Sequence, residues 1–239
     1  MNDASTALTV TSDFTTTGTI AISAEAGYTQ QDVDLDAGGS NITITADSVT
    51  LNSNTGNNAF TTTGTVTLKP STLTAGMTLG DATTTNSFHL DTTELGDIVA
   101  GKLVIGSTGT TTTSGQIVIG GSVSLGSTDL DLLSTGGVVD GADGSIVTTG
   151  TVTVDAAASS VVLTNSTAGH GIAQLGAVVA GSGFALDNGD TSLTVGGAIT
   201  TTDQAWSVVV IAPPTVNDVS PLSSAKPEPA TTAPSCAMP

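Results

Sequence analysis

One phrase recurs along this chain and constrains its fold more than any other feature. "FTTTGTIAI" runs from Phe14 to Ile22, "FTTTGTVTL" from Phe60 to Leu68, and "IVTTGTVTV" from Ile146 to Val154. Forty-six residues separate Phe14 from Phe60, and eighty-six separate Phe60 from Ile146. Those intervals fit two and four turns of a unit of about 22 residues, the period of a solenoid whose coils each stack on the last. One such coil cannot bury its own apolar face, so the phrase has to be repeated for a core to exist.

Each copy of the phrase ends in strict alternation. In "GTVTLKP", alternation sends Val66 and Leu68 inward and Thr65 and Thr67 outward. The same period of two appears in "ALTVTS", "NITITA", "KLVIGS", "DLDLLST", "SVVLTNS" and "WSVVVIAPP". Gly, Asn, Asp and Ser clusters separate these runs and supply turns. The nearest helical pattern is short, in "TTELGDIVAG" from Thr92 to Gly101. Aromatic residues are 3% of the chain, while Thr is roughly a fifth of it, so the core has to be small, β-branched and aliphatic. The predicted fold is all-β, a parallel β-helix region over residues 1–212 with nine or ten coils between Ala7 and Ala212, about 45 Å long at a strand spacing of about 4.8 Å. The alternative is a β-sandwich of short alternating strands, which has no reason to repeat a phrase at a coil length. Residues 213–239 hold all but one of the eight prolines and read as a disordered tail, because Pro donates no ladder hydrogen bond.

Charge narrows the partners. Three Lys and no Arg face 21 acids, for a net charge of −18. Such a surface repels nucleic-acid phosphates and anionic lipid headgroups. No run of about 20 apolar residues is present to insert into a membrane, and "MNDASTALTV" has no signal-peptide pattern. The single Cys236 has no intrachain disulfide partner and no base fixed beside it.

Legible chemistry is sparse. His89 and His170 are not in metal-ligand spacing and read as solvated or turn histidines. "DVDLDA" places Asp32, Asp34 and Asp36 on one strand face, and "DLDL" does the same with Asp129 and Asp131. These acids read as a solvated exterior. The sharper alternative is weak Ca²⁺ binding by Asp32, Asp34 and Asp36, or by Asp140 and Asp143 in "DGADGS". No cofactor and no catalytic residue is predicted. A carbohydrate-active β-helix enzyme is the alternative, but only Lys69 and Lys102 lie in the coil region to act on an acidic sugar. The T-x-T phrases also raise ice binding as a lesser alternative.

"LDTTELGDIVAGKLVIGS" (Leu90 to Ser107) resembles the repeat of the filamentous-haemagglutinin-like, β-strand-repeat adhesins of bacteria. The matching pieces are Glu94-Leu95 to Ile98, then Ala100 to Gly106, then "DLDLLSTGGVVDGADGSI" from Asp129 to Ile146. The likeness is clear over roughly residues 85–200 and stylistic before them. It implies a right-handed β-helix, extracellular or on a cell surface as part of a longer exported protein, that serves as a shaft or an adhesin. A multivalent contact with host or cell-surface glycans or proteins would follow, and end-to-end self-association through uncapped sheet edges.

Overall fold

The computed structural model describes residues 2–3, 7–52, 58–72, 74–81, 86, 88–109, 114–157, 159–164, 167, 169–202 and 207–209. The Pro-rich tail and Cys236 lie outside them. The chain is a parallel β-solenoid of about 8 stacked turns of about 23 residues, and every described strand pairing is parallel.

The main sheet stacks Asn2–Asp3, Ile20–Ala24, Ile42–Ala46, Thr65–Lys69, Lys102–Gly106, Asp129–Leu133, Ser145–Asp155 and Gly171–Ala180, and ends at Thr194–Val195 and Ile199–Thr201. Its register places like residues above like. One inward column reads Ile20, Ile42, Val66, Leu103, Leu130, Val152, Leu175 and Val195. The next reads Ile22, Ile44, Leu68, Ile105, Leu132, Val154, Val178 and Ile199. These two aliphatic columns form one wall of the core. Val66 and Leu68 are fully buried, as the alternation predicts, and Thr65 and Thr67 face outward.

The repeated phrase is a corner. In Thr62 and Thr148, the side-chain hydroxyl accepts a hydrogen bond from the Gly N–H two residues on, at Gly64 and Gly150. The same hydroxyls donate to carbonyls of the preceding coil, Thr62 to Ser40 and Thr148 to Gly126 and Thr128. Thr16 makes the same local turn with Gly18. The phrase therefore encodes a bend, and two residues before it Phe60 and Ile146 are fully buried, whereas Phe14 in the first turn is half-exposed. Phe14, Leu35, Phe60 and Ile98 stack in one column. A second kind of corner uses Asp. Asp36 and Asp187 accept from the N–H groups of Gly38 and Gly189, which have left-handed φ of 58° and 55°.

The coil count differs from the nine or ten expected. Eight rises at about 4.8 Å give a stack of about 38 Å. Phe60 and Ile146 lie three turns apart rather than four, because the turns between them are long. Val66 and Leu103 are register partners thirty-seven residues apart in sequence, and Leu103 and Leu130 are twenty-seven apart. The longest turn carries an excursion. After Thr65–Lys69 the chain forms Ala75–Leu79, then Phe88–Leu90, which stacks outside it in reversed order. As a result the second face is split. Leu8–Val10, Tyr28–Gln31 and Val49–Asn52 form one short sheet, and a separate seven-stranded sheet begins at Phe88–Leu90.

A five-residue helix, Thr92–Gly96, sits at this seam, with a capping box between Asp91 and Glu94. Glu94 is nearly buried. One carboxylate oxygen accepts from Asp91 N–H at 2.9 Å, and the other accepts from Leu51 N–H at 2.8 Å, on the edge strand of the short sheet. The carboxylate thus stands in for the missing next strand. Burial pushes the Glu94 carboxyl above its ordinary range, although both N–H groups pull it down. Glu94→Ala leaves two N–H groups without their partner and is expected to lower the melting temperature by about 5 °C. Glu94→Gln is expected to recover only part of this, because an amide offers one accepting oxygen. A thermal melt of each variant by circular dichroism checks both.

Candidate functional site

The outward column at the centre of the main sheet reads Ala21, Thr43, Thr67, Val104, Asp131 and Thr153. Thr is frequent on this face but does not form an unbroken array, since Val104 and Asp131 interrupt it. Lys102 on the same face reaches one rung across to Asp131 at 3.0 Å. Both side chains are partly solvated, and such surface pairs contribute about 0–1 kcal/mol.

The predicted acids disperse rather than converge. Asp32, Asp34 and Asp36 do not share one continuous strand, because Asp32 adopts a left-handed φ of 52° and the ladder resumes only at Leu35–Asp36. The physical reason is a corner between Tyr28–Gln31 and Leu35–Asp36, which turns Asp32 out into solvent. Asp34 receives a long hydrogen bond from Thr61 at 3.4 Å. Burial raises its carboxyl above the usual range, and the neighbouring Asp36 and Asp13 add to that. Asp36 is occupied by the Gly38 N–H. Asp129 accepts from Thr151 N–H at 2.8 Å. Asp140 and Asp143 part company: Asp143 is exposed and Asp140 is 4% exposed. Among the described residues, no three His, Cys, Asp or Glu side chains are grouped to hold a metal.

Asp47, not singled out in the sequence, fixes the corner after Thr65–Lys69. It accepts from the backbone N–H and the hydroxyl of both Ser71 and Thr72. Burial pushes its carboxyl up, but these four donors outweigh burial and the net shift is downward. A shallow groove of about 450 Å³ lies over it, lined by Ser23, Glu25, Thr45 and the same corner.

His170 is the clear correction. It reads as a solvated or turn histidine in the sequence, yet its side chain and that of Asp140 are both 0% exposed, with His170 Nε2 3.1 Å from Asp140 Oδ2. Asp140 stands opposite Ile119, in an inward slot filled by aliphatic residues on the neighbouring strands. Alternation carries that signal, since Val138 faces inward and the residue two further on must do the same. The surrounding Gly and Asp in "DGADGS" instead favour a surface turn. An Asp–His pair sealed in this way has no access to a substrate. His89 lies on the strand Phe88–Leu90, half-buried, with Nδ1 3.3 Å from the Asn86 carbonyl.

The first turn leaves an open mouth. A cavity of about 550 Å³ is lined by Leu8, Val10, Phe14, Ile20, Ile22 and Leu35, and Phe14 is 52% exposed. No described helix is long and apolar enough to cross a membrane.

No family model, curated protein or solved structure matches this chain.

Proposed function

We propose that this chain is a structural or adhesive shaft, a segment of a longer exported bacterial protein of the filamentous-haemagglutinin-like kind. The observation that carries this reading is how the polar side chains are used. Thr62, Thr148, Asp36, Asp47, Asp129 and Asp187 each accept from backbone N–H groups at corners or between coils. Their chemistry goes into maintaining the solenoid. The outer face that remains is small, polar and repetitive, which suits weak contacts summed over many coils with a glycan or protein on a cell surface. Strong acidity keeps copies apart along their sides. The apolar cavity in the first turn, with Phe14 half-exposed beside it, is where association between copies would occur.

Purified protein displayed at high density on beads is expected to bind cell surfaces or glycan-coated plates, and the same protein in monomeric solution to bind far more weakly. No release of reducing ends or unsaturated sugars is expected from neutral or acidic polysaccharides. Chelation of Ca²⁺ is expected to leave the melting temperature unchanged. Polysaccharide cleavage abolished by replacing Asp129 or Asp131 would replace the shaft reading with a β-helix enzyme. Loss of stability on chelation would restore a Ca²⁺ role for the acids of Asp32–Asp36.

A further inference from the structure

The buried Asp140–His170 pair belongs to a polar crossbar that links two faces of the solenoid. His170 Nδ1 lies 3.0 Å from the backbone N of Ile146, in the main-sheet strand one coil below. A backbone N–H can only donate, so Nδ1 is the acceptor and carries no proton. The ring proton is therefore on Nε2, donated to Asp140 Oδ2 on the second face. The other Asp140 oxygen accepts from Thr164 N–H at 3.1 Å. His170 N–H donates to the Asp187 carbonyl. One coil further on, Asn188 continues the crossbar, accepting from Ile172 N–H and donating to the Ile172 and Thr191 carbonyls.

We propose that His170 is an acid-released latch between two coils of the solenoid. It holds the pairing of Ser145–Asp155 with Gly171–Ala180 only while its ring is neutral. Protonation puts a second donor, Nδ1–H, directly against Ile146 N–H. Neither can then be satisfied in an interior closed to water, so the cost of an unpaired buried donor falls on that rung. The two coils separate locally at Ile146.

The acids that face the ring are Asp140 on the second face and Asp187 at the end of Phe184–Asp187. Asp143 and Asp190 are exposed on flanking turns. Burial pulls the His170 pKa below its ordinary value, and the Asp140 hydrogen bond and charge, together with Asp187, only partly oppose it. A lowered folded pKa sets the sign. The latch contributes full stability above the unfolded value of about 6.5 and loses it as pH falls through the folded value.

Amide hydrogen exchange on the full chain, at pH 7 and about pH 4.5 and corrected for the intrinsic rate, tests this. Opening around residues 145–148 and 170–172 is expected to rise by about tenfold or more in acid. Ile42–Ala46, which has no such histidine, is the internal control and is expected to keep its protection. His170→Asn is expected to abolish the acid response. Asp140→Asn removes the charge that favours imidazolium, so it is expected to shift opening to lower pH. Should either variant fail to fold, nitrogen chemical shifts of the His170 ring in the wild type remain decisive. An Nε2–H tautomer at neutral pH that titrates together with loss of Ile146 protection supports the latch. An Nδ1–H tautomer, titration with Ile146 still protected, or uniform opening that includes Ile42–Ala46 would overturn it.

Discussion

Leu68→Asp is expected to lower the melting temperature by about 10 °C or more, or to prevent folding, while Thr67→Asp one residue away costs little. Leu68 is fully buried, between Ile44 below and Ile105 above in an unbroken aliphatic column. A carboxylate there has no described cation within the column to pair with and no water. It must either ionise in an apolar interior or take up a proton and remain poorly bonded. Such changes belong to the destabilising tail of about 4 kcal/mol or more, and each kcal/mol is worth about 2–4 °C at this chain length. Thr67 faces the other way, half-exposed, between Thr43 and Val104. In a solenoid each coil leans on its neighbours alone, so the lesion at Leu68 is expected to loosen the adjacent coils first. Thermal melts of the two variants beside the wild type read this directly. Equal losses would mean that the inward and outward registers are exchanged.

The same alternation explains how much was legible. Parity along a strand needs only local sequence, so the wall of Val66, Leu68 and their column mates could be read without a structure. The period could also be read, because stacking forces similar residues into similar places. What sequence does not carry is how far the chain wanders between two stacked strands. The thirty-seven-residue turn from Val66 to Leu103 rises no further than the turn of twenty-two between Ile20 and Ile42. Counting residues therefore overestimates the coils. Polar residues in the core were the second blind spot. Asp140 and His170 look like surface residues by composition, and the partner that makes their burial tolerable is thirty positions away in sequence. Asp32 is exposed, as a solvated exterior requires. Alternation in "DVDLDA" holds through Ala37, but a left-handed corner at Asp32 takes it off the strand that carries Asp36.

Gly150→Ala is expected to cost several degrees of melting temperature, and Gly18→Ala almost none, although both glycines end the same T-x-G corner. Neither position depends on a left-handed backbone, so conformational freedom is not the reason. The distinction lies in what sits beneath. A Cβ on Gly150 would fall 2.4 Å from the Thr128 carbonyl oxygen of the preceding coil. Gly64 would meet the Ser40 carbonyl at 2.8 Å, and Gly101 the Thr63 carbonyl at 2.4 Å. These oxygens belong to backbone fixed by the ladder, and Thr128 O also accepts the Thr148 hydroxyl, so it cannot move aside without releasing that corner. Overpacking of this kind costs about 1–3 kcal/mol, which corresponds to roughly 2–12 °C here. Gly18 is in the first corner, where no described backbone carbonyl comes within 4 Å of such a Cβ, and its nearest described neighbour is the Thr16 hydroxyl at an ordinary 3.6 Å. The glycine of the repeated phrase is thus required by stacking rather than by the turn itself. Melting the two variants in parallel separates these causes, since a requirement of the turn alone would make Gly18→Ala as damaging as Gly150→Ala.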